Sequence, residues 1–423
     1  MVRLMSSTPP QDAAPAPRSR RRVLWIVLSI VLVLLLALAG VGVWGFRHLS
    51  DNLRTAPVGD AGRRTIGPGG HTPIDVLVIG SDGRRDEADC KLGGACDSDE
   101  INGDVMLLVH LAADRSNATV MSIPRDTMAQ IPACTDVRTG KAIPAHRGMI
   151  NSALTGGPGC QVSAVHHLTG IPIDHFAMVD FAGVVTMSDA IGGVPVCVDA
   201  DVYDTYSHLK LKKGEHTLVG ESALQFVRSR HGFGDGSDIG RTQAQHLFLS
   251  SMVRELKGAG TLSDPVALYR LADAATKAVT VDENLGGVDD LVALAADAGR
   301  VPTEAITFTT MPTVVDPQNS NRLVPAPRAK DLFAKMIADE SLSAPTAPSS
   351  AATSPSSSTS RPSAAPSTPA GGGSPSSRAT RSAKQSGCAH VSPYKTVKID
   401  GVPMTPTRAY EVGTAKGIPD SAP

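Results

Sequence analysis

The longest hydrophobic segment of the chain is an almost uninterrupted apolar run at residues 23–46. As an α-helix this run would span roughly 36 Å, more than the hydrocarbon core of a bilayer. An arginine cluster at residues 18–22 precedes it, so the positive-inside rule places the N-terminus in the cytoplasm. A cleaved signal peptide is the alternative, but its apolar core would be shorter. The run therefore predicts a single-pass transmembrane helix with the rest of the chain outside the cell.

Between residues 74 and 340, short apolar runs alternate with segments of helical periodicity. The apolar runs predict strands at 74–80, 104–111, 119–123, 174–180, 194–198 and 305–311. The periodic segments predict helices at 161–169, 182–191, 221–230, 239–257, 265–279 and 288–298. Such alternation is typical of an α/β fold in which helices flank a central sheet.

Outside this domain the composition changes to that of segments that do not fold alone. Residues 1–22 and 47–73 are rich in Pro, Gly, Ala, Ser and Arg, which predicts a cytoplasmic N-terminal segment and a flexible linker. Residues 341–387 are nearly all Ser, Pro, Ala, Thr and Gly, which predicts a disordered linker. The short C-terminal tail, residues 388–423, is too small to hold its own core, and we assign it no function.

Charge and motif content exclude several classes of function. The 423 residues contain 40 Lys and Arg against 41 Asp and Glu, for a net charge of −1, so no basic surface for nucleic acid is expected. A G-x-S-x-G elbow, a Walker loop and an H-E-x-x-H pair are all absent from the sequence. These absences disfavour a serine hydrolase and a nucleotide-driven enzyme. Because no extended basic surface is expected, any phosphate site must be formed by a few positively charged residues at one place in the fold.

The six cysteines are an even number, as expected in an oxidising compartment. Cys90 with Cys96 and Cys134 with Cys160 are the most plausible pairs, because each bridge would close one loop-like stretch. Cys197 lies in an apolar run, and we interpret it as a small buried hydrophobic residue. The complete connectivity stays open.

Acidic residues stand at the ends of two predicted neighbouring strands. Asp82 follows the first strand directly, and Asp104 opens the next one. In α/β folds ligands bind at such strand ends. Two carboxylates together with substrate oxygens are the usual ligands of Mg²⁺, so the pair predicts a site for Mg²⁺ or Mn²⁺.

Arginines are attached to the ends of other apolar elements. Arg125 follows a strand, and Asp126 is expected to orient it through a bidentate ion pair. Arg228 and Arg230 can converge on one ligand only if their helix ends there, which the glycine-rich segment 232–236 favours. The remaining candidates, at a strand end and at the start of a helix, are Arg84, Asp238 and Arg241.

These residues lie in an ordered set of motifs that resembles the LytR-CpsA-Psr family. The matching segments are GSDGR at 80–84, DVMLL at 104–108, SIPRDT at 122–127, LTGIPIDH at 168–175, VDF at 179–181, DAIGGV at 189–194, ALQFVRSR at 223–230 and DIGR at 238–241. The resemblance implies a membrane-anchored phosphotransferase that moves a phosphorylated glycan from polyprenyl pyrophosphate to peptidoglycan. It also implies that Asp82 and Asp104 bind the metal. The pyrophosphate clamp would be Arg84, Arg125, Arg228, Arg230 and Arg241, with Asp238 as a base or as the residue that holds the clamp.

One position departs from the family pattern, because Ala244 stands where a further arginine is expected. Its absence implies that phosphate affinity or substrate choice differs. Two other functions stay open on the sequence alone. Water as the acceptor would make the protein a polyprenyl-pyrophosphate hydrolase, and a protein without catalysis would be a wall-binding regulator.

Overall fold

The apolar runs of the sequence form the strands of one mixed sheet in a computed structural model, which describes residues 20–62, 72–83, 87–93, 101–258, 264–342, 381–384 and 386–423. Predicted strands and helices recur with shifts of a few residues at their ends. The strands are β1 (Arg54–Ala56), β2 (Ile74–Ser81), β3 (Gly103–Leu111), β4 (Ala118–Ser122), β5 (Met128–Ile131), β6 (Cys134–Thr135), β7 (Ala142–Ile143), β8 (His146–Met149), β9 (His175–Val179), β10 (Val194–Val198), β11 (Val202–Asp204), β12 (Leu209–Leu211), β13 (Gly214–Leu218), β14 (Val279–Asp282), β15 (Ile306–Thr310), β16 (Thr313–Asp316), β17 (Asn319–Pro325), β18 (Arg381–Ser382), β19 (Val397–Ile399) and β20 (Val402–Met404).

The α-helices lie between the strands as the periodicity predicts, with additional helices near both ends of the chain. They are α1 (Arg20–Asn52), α2 (Glu87–Gly93), α3 (Pro158–Thr169), α4 (Phe181–Ile191), α5 (Glu221–Arg228), α6 (Asp238–Gly258), α7 (Pro265–Ala278), α8 (Val288–Arg300), α9 (Ala329–Ile337) and α10 (Pro406–Ala415). Within α1, the segment Leu24–Asn52 is long and apolar enough to cross a membrane.

The central sheet has eight strands in the order β1-β14-β9-β2-β3-β4-β15-β18. β2 pairs with β9 in parallel and with β3 antiparallel, and β4 pairs in parallel with β15. Helices α3 and α9 pack on one face against Leu77, Ile79 and Phe176. Residues of α6 and α8 pack on the other face around Leu107 and Phe308. The prediction of an α/β fold with helices flanking a central sheet is confirmed.

A second, smaller core lies beside the sheet. Strand β10 pairs antiparallel with β13, and β11 and β12 form a hairpin between them. The apolar side chains of these strands pack against α5 and α6, with Phe226, Phe233 and Phe248 in close contact. The sequence predicts only β10 of these strands, because the others are short and carry polar residues between apolar ones. This core supports the loop between α5 and α6, and that loop reaches the candidate site.

The predicted flexible linker at 47–73 is wrong in part. Helix α1 continues to Asn52, and Arg54–Ala56 forms β1, which pairs in parallel with β14. These backbone hydrogen bonds come from a strand more than two hundred residues away, so the local composition could not indicate them. The predicted cytoplasmic segment lies almost entirely outside the described residues, as do residues 343–380 of the predicted disordered linker.

Two disulfide bonds join described residues. Cys134 pairs with Cys160, as predicted. Cys197 pairs with Cys388, so its interpretation as a buried hydrophobic residue is wrong. Its partner lies 191 positions away, and nothing local to Cys197 indicates it. Cys90 is also disulfide-bonded, but Cys96 is outside the described residues and that pairing stays a prediction.

The C-terminal segment, defined as residues 386–423, docks on the chain itself. Helix α10 and the hairpin β19–β20 pack against β11, where Tyr203, Val397 and Ala409 form a small cluster. Ala389 pairs with Val198 beside the disulfide. The segment therefore packs on β11 and gains stability from these contacts.

One buried titratable network crosses the sheet. His110 on β3 stands opposite Asp75 on β2, and its two ring nitrogens lie 2.8 Å from Asp75 Oδ1 and 2.9 Å from Asp339 Oδ1. His110 is only 2% exposed. Burial by itself would lower the pKa of His110, but the hydrogen bonds and charges of Asp75 and Asp339 outweigh it and raise the pKa.

This raised pKa predicts a pH-dependent stability. Protonated His110 stabilises the fold fully below its unfolded pKa of about 6.5, and the contribution disappears as pH rises through the higher folded pKa. The urea midpoint of the full chain in detergent should therefore fall as pH rises above about 6.5. His110→Gln should abolish this decline, whereas exposed His167→Gln should keep it. An unchanged decline in His110→Gln would contradict the assignment.

Candidate active site

A cavity of about 240 Å³ lies where β2 and β9 end and β3 begins. It contains most of the predicted arginines, together with one of the predicted aspartates. Its charged and titratable lining residues are Asp104, Arg125, Asp180, Tyr206, Arg228, Arg230, His231 and Arg241. Its apolar lining residues are Val105, Val179, Phe181, Val184, Leu224 and Val227. The cavity therefore combines an arginine-rich wall with an apolar wall.

Asp104 lies at an irregularity of the sheet. Gly80 pairs with Val105 and Ser81 pairs with Gly103, which leaves Asp104 as the extra residue of a β-bulge. Its carboxylate accepts a hydrogen bond from Arg125 Nη1 at 2.5 Å. Its backbone carbonyl accepts one from Arg241 Nη2 at 3.2 Å. Asp104 therefore connects two of the predicted arginines.

Arg125 is oriented by partners other than the one expected. Its guanidinium contacts Asp104 and lies 3.7 Å from Asp238 Oδ1. Asp126 pairs instead with Arg322 and Arg230, at 3.4 and 3.8 Å. The predicted bidentate pair of Arg125 with Asp126 is wrong, because the two residues lie in a turn closed by the hydrogen bond from Thr127 N to the Pro124 carbonyl, and each side chain pairs with residues elsewhere. Burial disfavours the charge of Arg125, but the nearby carboxylates outweigh this effect and raise its pKa.

Asp238 and Arg241 form a buried ion pair in the first turn of α6, on one helix face as their spacing predicts. They are 5% and 6% exposed. Burial lowers the pKa of Arg241, and the charges of Arg125 and Arg230 act in the same direction, whereas Asp238 opposes the change. Arg241 lines the cavity, whereas Asp238 lies behind the wall.

The loop between α5 and α6, residues 229–237, is called the clamp loop below. Helix α5 ends at Arg228, as the two-arginine spacing requires. Arg228 stacks on the Phe181 ring at 4.3 Å and donates to the Leu92 carbonyl at 3.0 Å. Arg230 extends to Asp126. Arg228 and Arg230 thus both line the cavity, although they contact different partners.

Glycines allow the clamp loop to lie against the first turn of α6. Gly234 has a φ of +58°, and a Cβ there would lie 2.7 Å from the Cα of Gly240. A Cβ on Gly240 would lie 2.4 Å from the carbonyl oxygen of Phe233. Because no side chain fits between these backbones, the loop and the helix bring Arg230 and Arg241 to one cavity.

Three arginine donors around the cavity have no hydrogen-bond partner within the described part of the chain, although one of them lies near the Asp238 carboxylate. The buried Nε atoms of Arg125, Arg230 and Arg241 make no hydrogen bond there. Buried polar groups of proteins are almost always hydrogen-bonded, so unsatisfied donors require an explanation such as a bound ion. Guanidinium groups with spare donors match the oxygens of a phosphate.

The fit of a metal to the predicted aspartates is partial. Asp104 lies in the cavity wall. Asp82 is absent from that wall, and its Oδ1 accepts a hydrogen bond from the Asn102 backbone at 2.6 Å. Across all described residues, no group of three His, Cys, Asp or Glu side chains could hold a metal ion. A Mg²⁺ ion would thus need substrate oxygens to complete its shell, which is common for this ion. Arg84 lies outside the described residues.

His231 is a cavity residue that sequence reasoning missed. Its ring stacks on Tyr206 with centroids 4.2 Å apart, and its backbone N–H donates to Asp204 at 3.0 Å. Asp204, fully buried, also accepts from Gly232 N at 3.1 Å and Ser229 Oγ at 2.8 Å. Burial, together with Arg230 and Arg241, lowers the pKa of His231 against the opposing charge of Asp204. Its position next to Arg230 is the only sequence feature that could have indicated it.

Ala244, where the chain departs from the family pattern, does not line the cavity. Ala244 is 2% exposed and packs in the small core with Leu247 and Phe248. The next residue, Gln245, lines the cavity and donates to the Val227 carbonyl at 2.9 Å. In this chain the position of the expected arginine belongs to the core, and the expected effect on phosphate affinity or substrate choice stays a prediction.

Comparison with known proteins places this arrangement in a family. The model of the LytR_cpsA_psr family matches residues 59–337. Cell wall biosynthesis protein LcpA of Corynebacterium glutamicum is 30% identical over 336 residues, or 72% of this chain and 64% of LcpA. The polyisoprenyl-teichoic acid–peptidoglycan teichoic acid transferase TagT of Bacillus subtilis is 26% identical over 257 residues, or 58% of this chain and 74% of TagT.

A solved structure agrees with this placement. The LytR-Csp2A-Psr enzyme from Actinomyces oris superposes with a TM-score of 0.52 at 26% identity, over 67% of this chain and 96% of that one. The family match covers six of the eight strands of the central sheet, all but β1 and β18, and the residues that line the cavity, from Gly80 to Gln245. The chain belongs to the LytR-CpsA-Psr family.

Proposed function

We propose that the chain is a phosphotransferase that moves a phosphorylated glycan from polyprenyl pyrophosphate to a hydroxyl of peptidoglycan. The observation that carries the proposal is the cavity in which arginines with unsatisfied donors surround Asp104 beside an apolar wall. Pyrophosphate oxygens suit the arginines, and a polyprenyl chain suits the apolar residues. The names of LcpA and TagT, a cell wall biosynthesis protein and a teichoic acid transferase, support the same class of substrate.

The reaction is an in-line displacement at the phosphorus nearest the glycan. The acceptor oxygen forms a bond to that phosphorus while the bond to the bridging oxygen breaks, and polyprenyl phosphate leaves with the electron pair. Negative charge grows on the leaving and equatorial oxygens. Arg125, Arg230 and Arg241 bind these oxygens in a fixed arrangement, and Arg228 borders them from the Phe181 side. Arg84 binds the same oxygens, as its place in the GSDGR motif predicts.

Asp238 holds the clamp and does not act as the base. Its carboxylate is buried, pairs with Arg241 and lies 3.7 Å from Arg125, and it does not line the cavity where the acceptor hydroxyl would bind. Mg²⁺ or Mn²⁺, held by Asp104 and Asp82 with substrate oxygens, would neutralise part of the pyrophosphate charge.

The proton of the acceptor hydroxyl goes to His231, the neutral imidazole in the cavity wall. It is received at Nε2, because Nδ1 is buried.

The location of the reaction follows from α1 and the disulfides. We propose that α1 anchors the chain as a single-pass helix with a cytoplasmic N-terminus and an extracellular catalytic body. The Cys134–Cys160 and Cys197–Cys388 bonds support this orientation, because disulfides persist outside the cytoplasm.

The direct test is product analysis. The full chain in detergent is incubated with a polyprenyl-pyrophosphate glycan, peptidoglycan fragments and Mg²⁺, and the products are identified by mass spectrometry. A glycan phosphate linked to the fragment is the expected product. Polyprenyl phosphate released without linkage would show water as the acceptor, and the absence of turnover would reject an enzyme with this donor.

Removing one arginine of the clamp should mainly reduce turnover. Arg125→Ala is expected to lower kcat by about 100-fold, because its donors stabilise charge that develops in the transition state. Arg147→Ala is the matched control, since Arg147 pairs with Asp316 at 2.6 Å and does not line the cavity. Its kcat should stay near that of the wild type. Equal kcat values for the two variants would contradict the clamp.

The buried pair gives a prediction for stability. Asp238→Asn leaves Arg241 as an uncompensated buried charge, which should lower the free energy of unfolding by about 3–5 kcal/mol in urea. Asp235→Asn is the control, since Asp235 is exposed in the clamp loop three residues before Asp238. If Asp238 were instead the base, its substitution would abolish turnover and leave the unfolding free energy close to that of Asp235→Asn.

The proton acceptor gives a prediction for pH dependence. His231 is active when neutral, so kcat/KM should fall as pH decreases through its pKa, which burial, Arg230 and Arg241 lower from 6.5. The acidic limb should therefore lie below pH 6.5. His231→Gln should lose this limb together with much of the rate, and exposed His146→Gln should retain both. An acidic limb that persists in His231→Gln assigns the proton transfer to another group.

A further inference from the structure

We propose that the C-terminal segment (residues 386–423) positions the clamp loop, so that residues outside the family match set the geometry of the active site. The family match ends at residue 337. The proposal rests on the proposed function for its kinetic consequence, whereas the ordering of the loop is measured without turnover.

The segment is first fixed beside the clamp loop. Cys388 is disulfide-bonded to Cys197 on β10. Ala389 N donates to the Cys197 carbonyl at 2.7 Å, and the Ala389 carbonyl accepts from Asp199 N at 3.1 Å. Asp199 also accepts from Val391 N at 2.8 Å through its carboxylate. These contacts hold residues 388–391 alongside β10 and the residue that follows it.

The same stretch then contacts the clamp loop along its backbone. The His390 carbonyl accepts from Gly234 N at 2.8 Å, and the Gly232 carbonyl accepts from Ser392 N at 2.9 Å. Val391 forms an antiparallel bridge with Phe233, which is 1% exposed. The loop therefore receives a partial strand from the segment, and two of its backbone groups find their partners there.

Thr396 makes the contact nearest to the active site. Its hydroxyl donates to the His231 carbonyl at 2.6 Å and lies 3.4 Å from the Tyr394 carbonyl. Its methyl group packs over Gly236, where a Cβ would lie 2.2 Å from Thr396 Cγ2. His231 is thus held on two sides, by Asp204 through its N–H and by Thr396 through its carbonyl. Its neighbour Arg230 is fixed by the same backbone.

The far end of the segment is anchored away from the cavity. Thr407 Oγ1 donates to the Asp201 carbonyl at 2.9 Å, and Lys210 Nζ lies 2.5 Å from Asp420 Oδ1. Val397 and Ala409, both fully buried, pack on Tyr203. Because Asp204 ends the strand that carries Tyr203, the segment and the internal anchor of the clamp loop share one support. A displacement of about 1 Å in such a site can reduce a rate about 100-fold.

Two threonines of the segment make a matched test. Thr396→Val and Thr407→Val each remove one hydroxyl bond to a backbone carbonyl, but only the first bond reaches the clamp loop. In the full chain, Thr396→Val should increase amide exchange in residues 229–237 and lower kcat, each by about 10-fold, the factor that one hydrogen bond corresponds to. Thr407→Val should leave both near wild-type values. Thr396→Ser should restore both.

The outcomes separate positioning from general stability and from the proposed function. Exchange in the clamp loop that is unchanged in Thr396→Val overturns the proposal. Equal losses of melting temperature, exchange protection and kcat in the two valine variants also overturn it, because the segment then acts on the whole fold. If the wild type transfers no glycan, the proposed function fails, and loop exchange alone decides whether the segment positions the loop.

Discussion

Positive side chains repel each other, and the arginines of this cavity converge because two carboxylates lie between them. Two unit charges 4 Å apart interact by about 4 kcal/mol where the effective dielectric constant is near 20. Asp104 and Asp238 offset repulsion of this kind for Arg125 and Arg241. Burial and the charges of Arg125 and Arg230 lower the pKa of Arg241, although Asp238 opposes this change. The carboxylates therefore do not fully offset the repulsion between the arginines. An anionic ligand would offset the remainder.

The fold brings these groups together from distant parts of the chain. A β-bulge at the start of β3 supplies Asp104, the turn after β4 supplies Arg125, and the clamp loop with the first turn of α6 supplies Arg230, Asp238 and Arg241. The central sheet fixes Asp104 and Arg125. The small core between strands β10 to β13 and α6 fixes Arg230, Asp238 and Arg241. The C-terminal segment adds support on the side that the sheet does not reach. In this account, the spacing between arginines depends on both cores.

Local sequence patterns predicted the elements that bury continuous apolar runs. β2, β3 and β4 were recognisable because their residues alternate between two helix-covered faces. The candidate arginines were recognisable because each follows such an element or begins one. What could not be predicted depends on partners far away in sequence: the pairing of Cys197 with Cys388, the contacts of Asp126 with Arg230 and Arg322, and β1 in a segment of linker-like composition. His231 was missed because its role depends on the cavity residues that surround it in the fold.

The central claim is that the arginine-lined cavity binds the pyrophosphate of the lipid donor. The most direct measurement is a crystal structure of the chain with a short-chain polyprenyl pyrophosphate. The account predicts phosphate oxygens about 2.7–3.2 Å from nitrogens of Arg125, Arg230 and Arg241. It also predicts that the apolar chain lies along Val105, Val179 and Leu224. A pyrophosphate bound elsewhere, or a cavity left without ligand at saturating concentration, would contradict the account.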